Sequence, residues 1–420
     1  MRRRAARLLI AWVVGAVPCV AAAQNVSVRD TGLVRARVQR AEPLGLVWPR
    51  VHPQQTPGQV GGQSLNPDIS VIGEFLADLS TGEPKTTTEG ERFEVREVEL
   101  AIQSVVDPFF RADFFLGLHP DGIEIEEAFL TALVLPGGLQ ARLGRFRVPL
   151  GKVNLIHRPE QITVDYPWVL RHFFGDEGLV SNGVTLSRIF APFGFFQEIL
   201  VYGISSLGRH EHEHEEALDE EEVIEVINAG RLRNQIAVGA QLRNFWDLSS
   251  AANLELGFSA VTGRVRELDS ECLPGGPCPP VIVREVFEDQ SYYGPYLTLR
   301  WRPLRQGLHR SLIWNNELLV NVGHDANRLG VFSQAQWQLS RRTYIGARFD
   351  AVEILDEEFP DLVVEDWFSA VSGYFTFFPS EFSRFKLALE RTFGAGPLAQ
   401  QWRAVLQTTF AIGPHRPHAF

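Results

Sequence analysis

From Asp68 to Ile412 apolar and polar residues alternate with a period of two, in segments of about ten to fifteen residues divided by turn residues. In 328–340, Leu329, Val331, Ala335, Trp337 and Leu339 oppose Gly330, Gln334, Gln336, Gln338 and Ser340. In 382–393, Phe385, Leu387 and Leu389 oppose Arg384, Lys386 and Glu390. In 292–302, Tyr293, Leu297, Leu299 and Trp301 oppose Tyr292, Tyr296, Thr298, Arg300 and Arg302. Strand side chains point alternately to opposite faces, so each segment carries one face suited to lipid and one suited to water. Soluble sandwich strands are usually about five or six residues long. These are nearer the length that a tilted strand needs to cross a bilayer, about 9–11 residues.

The pattern predicts strands over 68–80, 91–106, 109–118, 123–134, 139–147, 183–190, 195–206, 231–245, 251–263, 290–303, 310–323, 328–340, 342–354, 365–378, 382–393 and 400–412. Single-chain bacterial barrels have even strand numbers. Every second connection is tight (Asp107-Pro108, Leu135-Pro136-Gly137-Gly138, Ala191-Pro192-Phe193-Gly194, Arg341, Pro379-Ser380-Glu381), whereas 81–90, 148–182, 207–230, 264–289 and 355–364 are long. Short periplasmic turns and long external loops define the expected fold class: all-β, a transmembrane antiparallel β-barrel of about sixteen strands with both termini in the periplasm. Trp301, Trp337, Tyr344, Trp367, Phe377 and Phe378 near segment ends fit the aromatic girdles of such barrels.

The first residues change the picture of where the chain goes. Arg2, Arg3, Arg4 and Arg7 precede an apolar stretch from Leu8 to Val20 and the small residues Ala21-Ala22-Ala23, the order of a secretory signal peptide. The expected organisation is a signal peptide over 1–23, a flexible Pro- and Gly-rich periplasmic segment over 24–67, and the outer-membrane barrel over 68–420. No apolar run of about 18 residues follows Ala23, so no helical span is expected. The formal net charge of -11 argues against nucleic acid as a partner. Cys272 and Cys278, in an exported chain, read as one loop disulfide, with a zinc pair as the rival. No nucleophile elbow, phosphate loop or dinucleotide fingerprint occurs, and an enzyme is not expected.

Glu126-Glu127-Ala128-Phe129-Leu130, followed by Leu135-Pro-Gly-Gly-Leu-Gln-Ala-Arg-Leu-Gly-Arg-Phe-Arg-Val-Pro-Leu-Gly-Lys-Val-Asn154, resembles the phosphate-selective porin group (porins O and P) and its relatives. The closing Ile412-Gly413-Pro414-His415 and Phe420 are similar too, and the resemblance spans roughly 68–420. It implies sixteen strands, a channel constricted by a long inward loop, and often a trimer. For an outer-membrane barrel the expected partners are outer-membrane lipid and lipopolysaccharide, the barrel assembly machinery, and ions or small hydrophilic solutes as cargo. Phosphate-selective members line their pore with lysine and arginine, whereas lysine occurs here only at 85, 152 and 386 and the loops are acidic. Pro414 and Pro417 cannot donate to a strand ladder, so the last strand is expected to end near Ile412 or to continue as an edge-like tail.

Three constellations carry candidate chemistry. The 148–182 connection is too long for an idle hairpin loop and too aromatic for disorder. It is expected to fold into the lumen and present Lys152, His157, Arg158, Glu160, Asp165, Arg171, His172, Asp176 and Glu177; packing outside on a neighbour is the alternative. The second is Arg209-His210-Glu211-His212-Glu213-His214-Glu215-Glu216, with imidazoles and carboxylates suited to Zn²⁺, Ni²⁺ or Cu²⁺. It reads either as a weak external metal site or as a solvated acidic loop. No resident cofactor is expected beyond such a weakly bound divalent ion. The third is the expected lumen wall, Arg231, Arg233, Arg243, Arg300, Arg302, Arg348, Asp350, Arg384 and Glu390, read as charges that pair across strands in a polar lumen. The acidic external rim adds an expectation of cation preference.

Overall fold

The computed structural model describes residues 67–80, 91–119, 122–207, 223–227, 236–272, 281–323, 327–355, 365–394 and 400–413. The alternating segments form β1 (Asp68–Asp78), β2 (Phe93–Val105), β3 (Phe110–His119), β4 (Gly122–Leu135), β5 (Leu139–Arg147), β6 (Val180–Phe190) and β7 (Phe196–Ile204). After the short β8 (Val223–Ile227) come β9 (Ala237–Ser249), β10 (Ala252–Cys272), β11 (Val281–Trp301), β12 (Leu312–Val322) and β13 (Asn327–Ser340). The last four are β14 (Thr343–Leu355), β15 (Glu365–Ser380), β16 (Ser383–Gly394) and β17 (Trp402–Ile412).

Sixteen of these strands pair in chain order, antiparallel, and β1 closes the ring on β17 from Val71↔Ile412 to Asp78↔Val405. The shortest staves, β5 and β7, have 9 residues each, the minimum for a tilted crossing of about 9–11 residues. β8 is not a stave, because β7 pairs directly with β9 while β8 runs parallel to β11 beyond the ring.

The polarity is inverted relative to a soluble protein. Phe75, Phe114, Leu143, Ile199, Leu242, Phe258, Phe375 and Leu389 are exposed on the outer wall, whereas Glu74, Asp113, Glu255, Gln334, Asp350 and Gln407 are buried on the inner wall. Such a surface is stable only where hydrocarbon replaces water outside, and ring closure leaves no unpaired strand edge in that medium. At the end with the short turns, Trp301 stacks on Trp337 at 5.5 Å and Phe195 packs on Trp246 at 4.8 Å. This is where an interfacial aromatic girdle belongs.

All sixteen expected strands are present, and the larger differences lie at a few of their ends. The expected loop 264–289 is mostly ladder: β10 and β11 stay in register from Gly263↔Gln290 to Cys272↔Val281. Its Val281-Ile282-Val283 run has the β-branched character that prolongs strands. The same composition in Val223–Ile227 makes β8 inside the expected loop 207–230. β9 begins at Ala237, so Arg231 and Arg233 lie outside the described residues. β6 begins at Val180, so the long connection is 148–179. β17 ends at Ile412, two residues before Pro414.

Candidate functional site

The connection between β5 and β6 folds into the barrel and touches most of its inner wall. It contains one α-helix, α1 (Trp168–Phe174), entered through Pro167 and stopped at Gly175. Val169, Leu170, Phe173 and Phe174 of α1 are buried and share an apolar cluster with the inward residues Tyr292, Leu319, Phe332, Val352 and Phe368. Tyr292 lies 4.8 Å from Phe174, ring to ring. Gly330 on β13 is where α1 approaches the wall, since a Cβ there would overlap Val169. Apolar burial at about 25 cal/mol per Å² therefore holds α1 inside a ring whose wall is otherwise polar.

The rest of the connection is tied by polar contacts. At its start, Gly151 N–H donates to Ser259 at 2.7 Å, and the Lys152 and Val153 N–H groups donate to Glu317 at 3.1 and 2.8 Å. Gly151 has φ +67, and a Cβ there would collide with the Glu317 carboxylate, so glycine is required on both counts. Lys152 Nζ reaches Glu255 at 2.5 Å, and Glu255 also receives Arg243 at 2.9 Å.

Further along, Lys386 donates to the carbonyls of Gln161 at 2.9 Å and Thr163 at 2.5 Å, and Arg384 donates to that of Pro159. Arg348 donates to Thr163 Oγ1 at 2.9 Å and to the Asp165 carbonyl at 2.7 Å. Asp165 pairs with Arg96 at 2.9 Å and with Arg403. Trp168 N–H donates to Asp350 at 3.0 Å and its indole N–H to Glu390 at 3.3 Å. The inward charges of β14 and β16 thus anchor loop backbone, and Arg403 of β17 holds the Asp165 side chain.

Past β17 and β1, the wall at β2 and β4 is acidic. His157 inserts between Glu99 (3.2 Å) and Glu126 (3.0 Å) through Nδ1, and reaches Glu127 (2.7 Å) through Nε2. Arg158 pairs with Glu97 and Glu177, each at 2.7 Å. Two bulges create this density of carboxylates: the β1–β2 register skips Arg96, and the β3–β4 register skips Glu126. A bulge re-aims its extra side chain, here turning Arg96 beside Glu97 and Glu126 beside Glu127 toward the same inner face.

Burial works against the charge on Asp165, but Arg403, Arg96 and Arg171 hold its carboxyl well below the usual range. A depressed carboxyl stabilises the fold above its unfolded pKa, about 3.9, and that contribution is lost as pH falls through the lower folded value. We expect thermal stability to hold down to pH 4 and to fall below it. Asp165→Asn should be less stable than the unsubstituted barrel at pH 7, with the difference closing in strong acid. Heat-modified gel mobility across pH checks this.

The expected loop residues Lys152, His157, Arg158 and Asp165 all meet the wall. Glu160 is half-buried beside the Arg384 anchor. Arg171 and Asp176 pair with each other at 2.6 Å, Arg171 covers the Trp168 ring, and His172 lies half-buried beside Phe173. On the wall, Arg243, Arg348, Asp350, Arg384 and Glu390 are buried and inward, and Arg300 is half-buried on the same face of β11. Arg302 is a correction: β11 ends at Trp301, and Arg302 is exposed in the following turn, donating to the Gly307 carbonyl at 2.9 Å. His210, Glu211, His212, Glu213, His214 and Cys278 lie outside the described residues; Cys272 ends β10, where only the backbone is described. Sequence reasoning did not single out Glu97, Glu99, Glu317, Lys386 or Arg403 as site residues. The doublets Arg96-Glu97 and Glu126-Glu127, which break the alternation, were the available signal.

A closed antiparallel ring, apolar outside and polar within, is a transmembrane β-barrel of the outer-membrane type. No protein-family model matches the chain. It is 26% identical over 350 residues to an uncharacterized protein of Aquifex aeolicus (strain VF5), covering 79% of this chain and 71% of that one. Among solved structures it is similar to the loop L8 deletion mutant of OmpT, an outer membrane protein of Vibrio cholerae, with TM-score 0.51 and 8% identity over 83% of this chain and 99% of that chain. The in-vitro folded OmpT of the same organism gives TM-score 0.51 and 6% identity over 82% and 97%.

Proposed function

We propose that this barrel is an outer-membrane porin, a water-filled channel for passive diffusion of ions and small hydrophilic solutes. The observation that carries the reading is the 148–179 connection, bonded to inward side chains of β2, β4, β10, β12, β14, β16 and β17. A loop held across a polar lumen narrows it and fixes charged groups along the path that solutes take. The carboxylates of β2 and β4 meet His157, and the arginines and lysine of β14, β16 and β17 meet Pro159–Asp165. We further propose cation preference, from the acidic external segments, and a homotrimer, from the resemblance to the phosphate-selective porin group. The near absence of lysine speaks against phosphate as the preferred solute.

The test is single-channel recording of the refolded protein in a planar bilayer, with a salt gradient and with micromolar Zn²⁺. Stable conductance steps and a cation-selective reversal potential are expected. An effect of Zn²⁺ that disappears when His210, His212 and His214 are replaced would bring that external tract into solute capture. A second reading is a sealed binding barrel, favoured by the apolar cluster that α1 forms inside the ring. A folded, heat-modifiable barrel that passes no current would select it.

A further inference from the structure

The carboxylates around His157 are arranged for more than ion pairing. Glu127 is fixed first, accepting the Arg147 backbone N–H at 2.7 Å through Oε1. Its Oε2 faces His157 Nε2 at 2.7 Å, and a carboxylate accepts, so that nitrogen carries the hydrogen. Nδ1 is then the nitrogen presented to Glu99 Oε2 and Glu126 Oε2, at 3.2 and 3.0 Å. Phe115 backs the imidazole at 4.7 Å and holds its plane. A histidine oriented by a carboxylate on its far nitrogen is the usual outer arrangement of a metal-bound imidazole.

One oxygen of this corner, Glu99 Oε2, is buried beside His157 without a hydrogen-bond donor. Arg147 and Arg158 engage Oε2 of Glu126 and Glu97; the two carboxyls also hydrogen-bond to each other, and their Oε1 atoms have no other donor. These side chains are 5% and 1% exposed, so bulk water does not reach them freely. Both oxygens converge over Gly117, where an added Cβ would lie 3.0 Å from Glu126 Oε1, 3.5 Å from Glu97 Oε1 and 2.8 Å from His119 Nε2. His119 Nδ1 lies 3.2 Å from the Arg96 carbonyl, which only accepts, so its Nε2 is also a lone-pair donor.

We propose that Glu99, Glu126 and His157 bind one divalent transition-metal ion of the Zn²⁺ type, with Glu97 and His119 nearby above Gly117. The ligand atoms of Glu99, Glu126 and His157 lie within 4.8 Å of one another. Two of their separations are already near the roughly 3.4 Å expected between ligands about 2.1 Å from a tetrahedral ion. Imidazole nitrogen with carboxylate oxygen is a donor set that Zn²⁺ accepts. The ion would rivet the inward loop to β2 and β4. This site shares no residue with the 209–216 tract, and its existence does not require that the lumen conduct.

The test uses full-length refolded protein without an affinity tag, carrying His210→Ala, His212→Ala and His214→Ala so that the external tract is silent. After chelator dialysis, Co²⁺ is titrated and followed by visible absorption, and Zn²⁺ content is measured by elemental analysis. One ion per chain is expected. Glu99→Gln and Glu126→Gln should weaken binding more than about 100-fold, and Glu127→Gln, which only orients His157, by about 10–100-fold. Heat-modified gel mobility establishes that each variant is folded. Gly117→Ala, which keeps every ligand and crowds the pocket, should weaken binding as well and stands in should a glutamate variant fail to fold. Anomalous scattering at the zinc edge from crystals of the unsubstituted protein should place a peak between Glu99, Glu126 and His157. A folded triple-histidine variant that retains no Zn²⁺ or Co²⁺, or retention unchanged by Glu99→Gln, overturns the proposal.

Discussion

Replacing residues 150–177 with a short Asn-Gly turn should raise single-channel conductance several-fold while leaving a folded barrel. The junction permits it, because Val148 N–H already donates to the Leu179 carbonyl at 3.0 Å and β5 pairs with β6 from Arg147↔Val180 onward. A two-residue turn of this kind matches the twist of an antiparallel pair. Conductance follows the narrowest section, so removing α1 and the anchored segment widens the path where it is most constricted. The charges on His157, Arg158 and Asp165 leave with it, so ion selectivity should shift in the same recording. Unchanged conductance from a heat-modifiable barrel would mean that the loop does not set the narrowest section.

Arg384→Met combined with Lys386→Met should release the loop without deleting it. Together these side chains bond the carbonyls of Pro159, Gln161 and Thr163, and both are almost fully buried. Hydrogen bonds to charged groups contribute about 1.5–3 kcal/mol each, less where water replaces the lost donor. Each 1.4 kcal/mol is a factor of ten in an equilibrium, so the loosened state should be populated at least about tenfold more. Two readouts follow: flickering single-channel current, and faster trypsin cleavage after Arg171, the loop arginine not followed by proline. A quiet channel with the original cleavage rate would show that the apolar seat of α1 alone holds the loop.

The strands were legible because a barrel stave has one simple requirement, apolar toward lipid and polar toward the lumen, and the Leu329–Ser340 and Phe385–Glu390 segments state it residue by residue. Sequence reasoning failed where that requirement lapses. β10 and β11 continue past the membrane, where no lipid imposes alternation, so the Arg264–Cys272 ladder looked like loop. Arg302 kept the phase of its segment but fell beyond the end of the strand. The bulges at Arg96 and Glu126 hid the acidic corner, because one extra residue reverses which face its neighbours occupy. The inward course of the 148–179 connection was readable from its length and aromatic content. Its anchors were not: Glu317 and Lys386 are far away in sequence, and only ring closure brings them to Lys152 and Gln161.

That the loop is bonded nearly all the way round the wall also constrains the order of assembly. Its backbone partners on β14 and β16 are made last during synthesis, while the loop itself precedes β6. A finished cylinder offers no lateral entrance through which this segment could reach Asp350, Lys386 and Glu317. Where the staves gather around it, the β1–β17 seam is the natural last join. The inward segment then acts as a former on which the wall is laid down, so damage to its anchors should slow insertion into the membrane even where the finished barrel tolerates it.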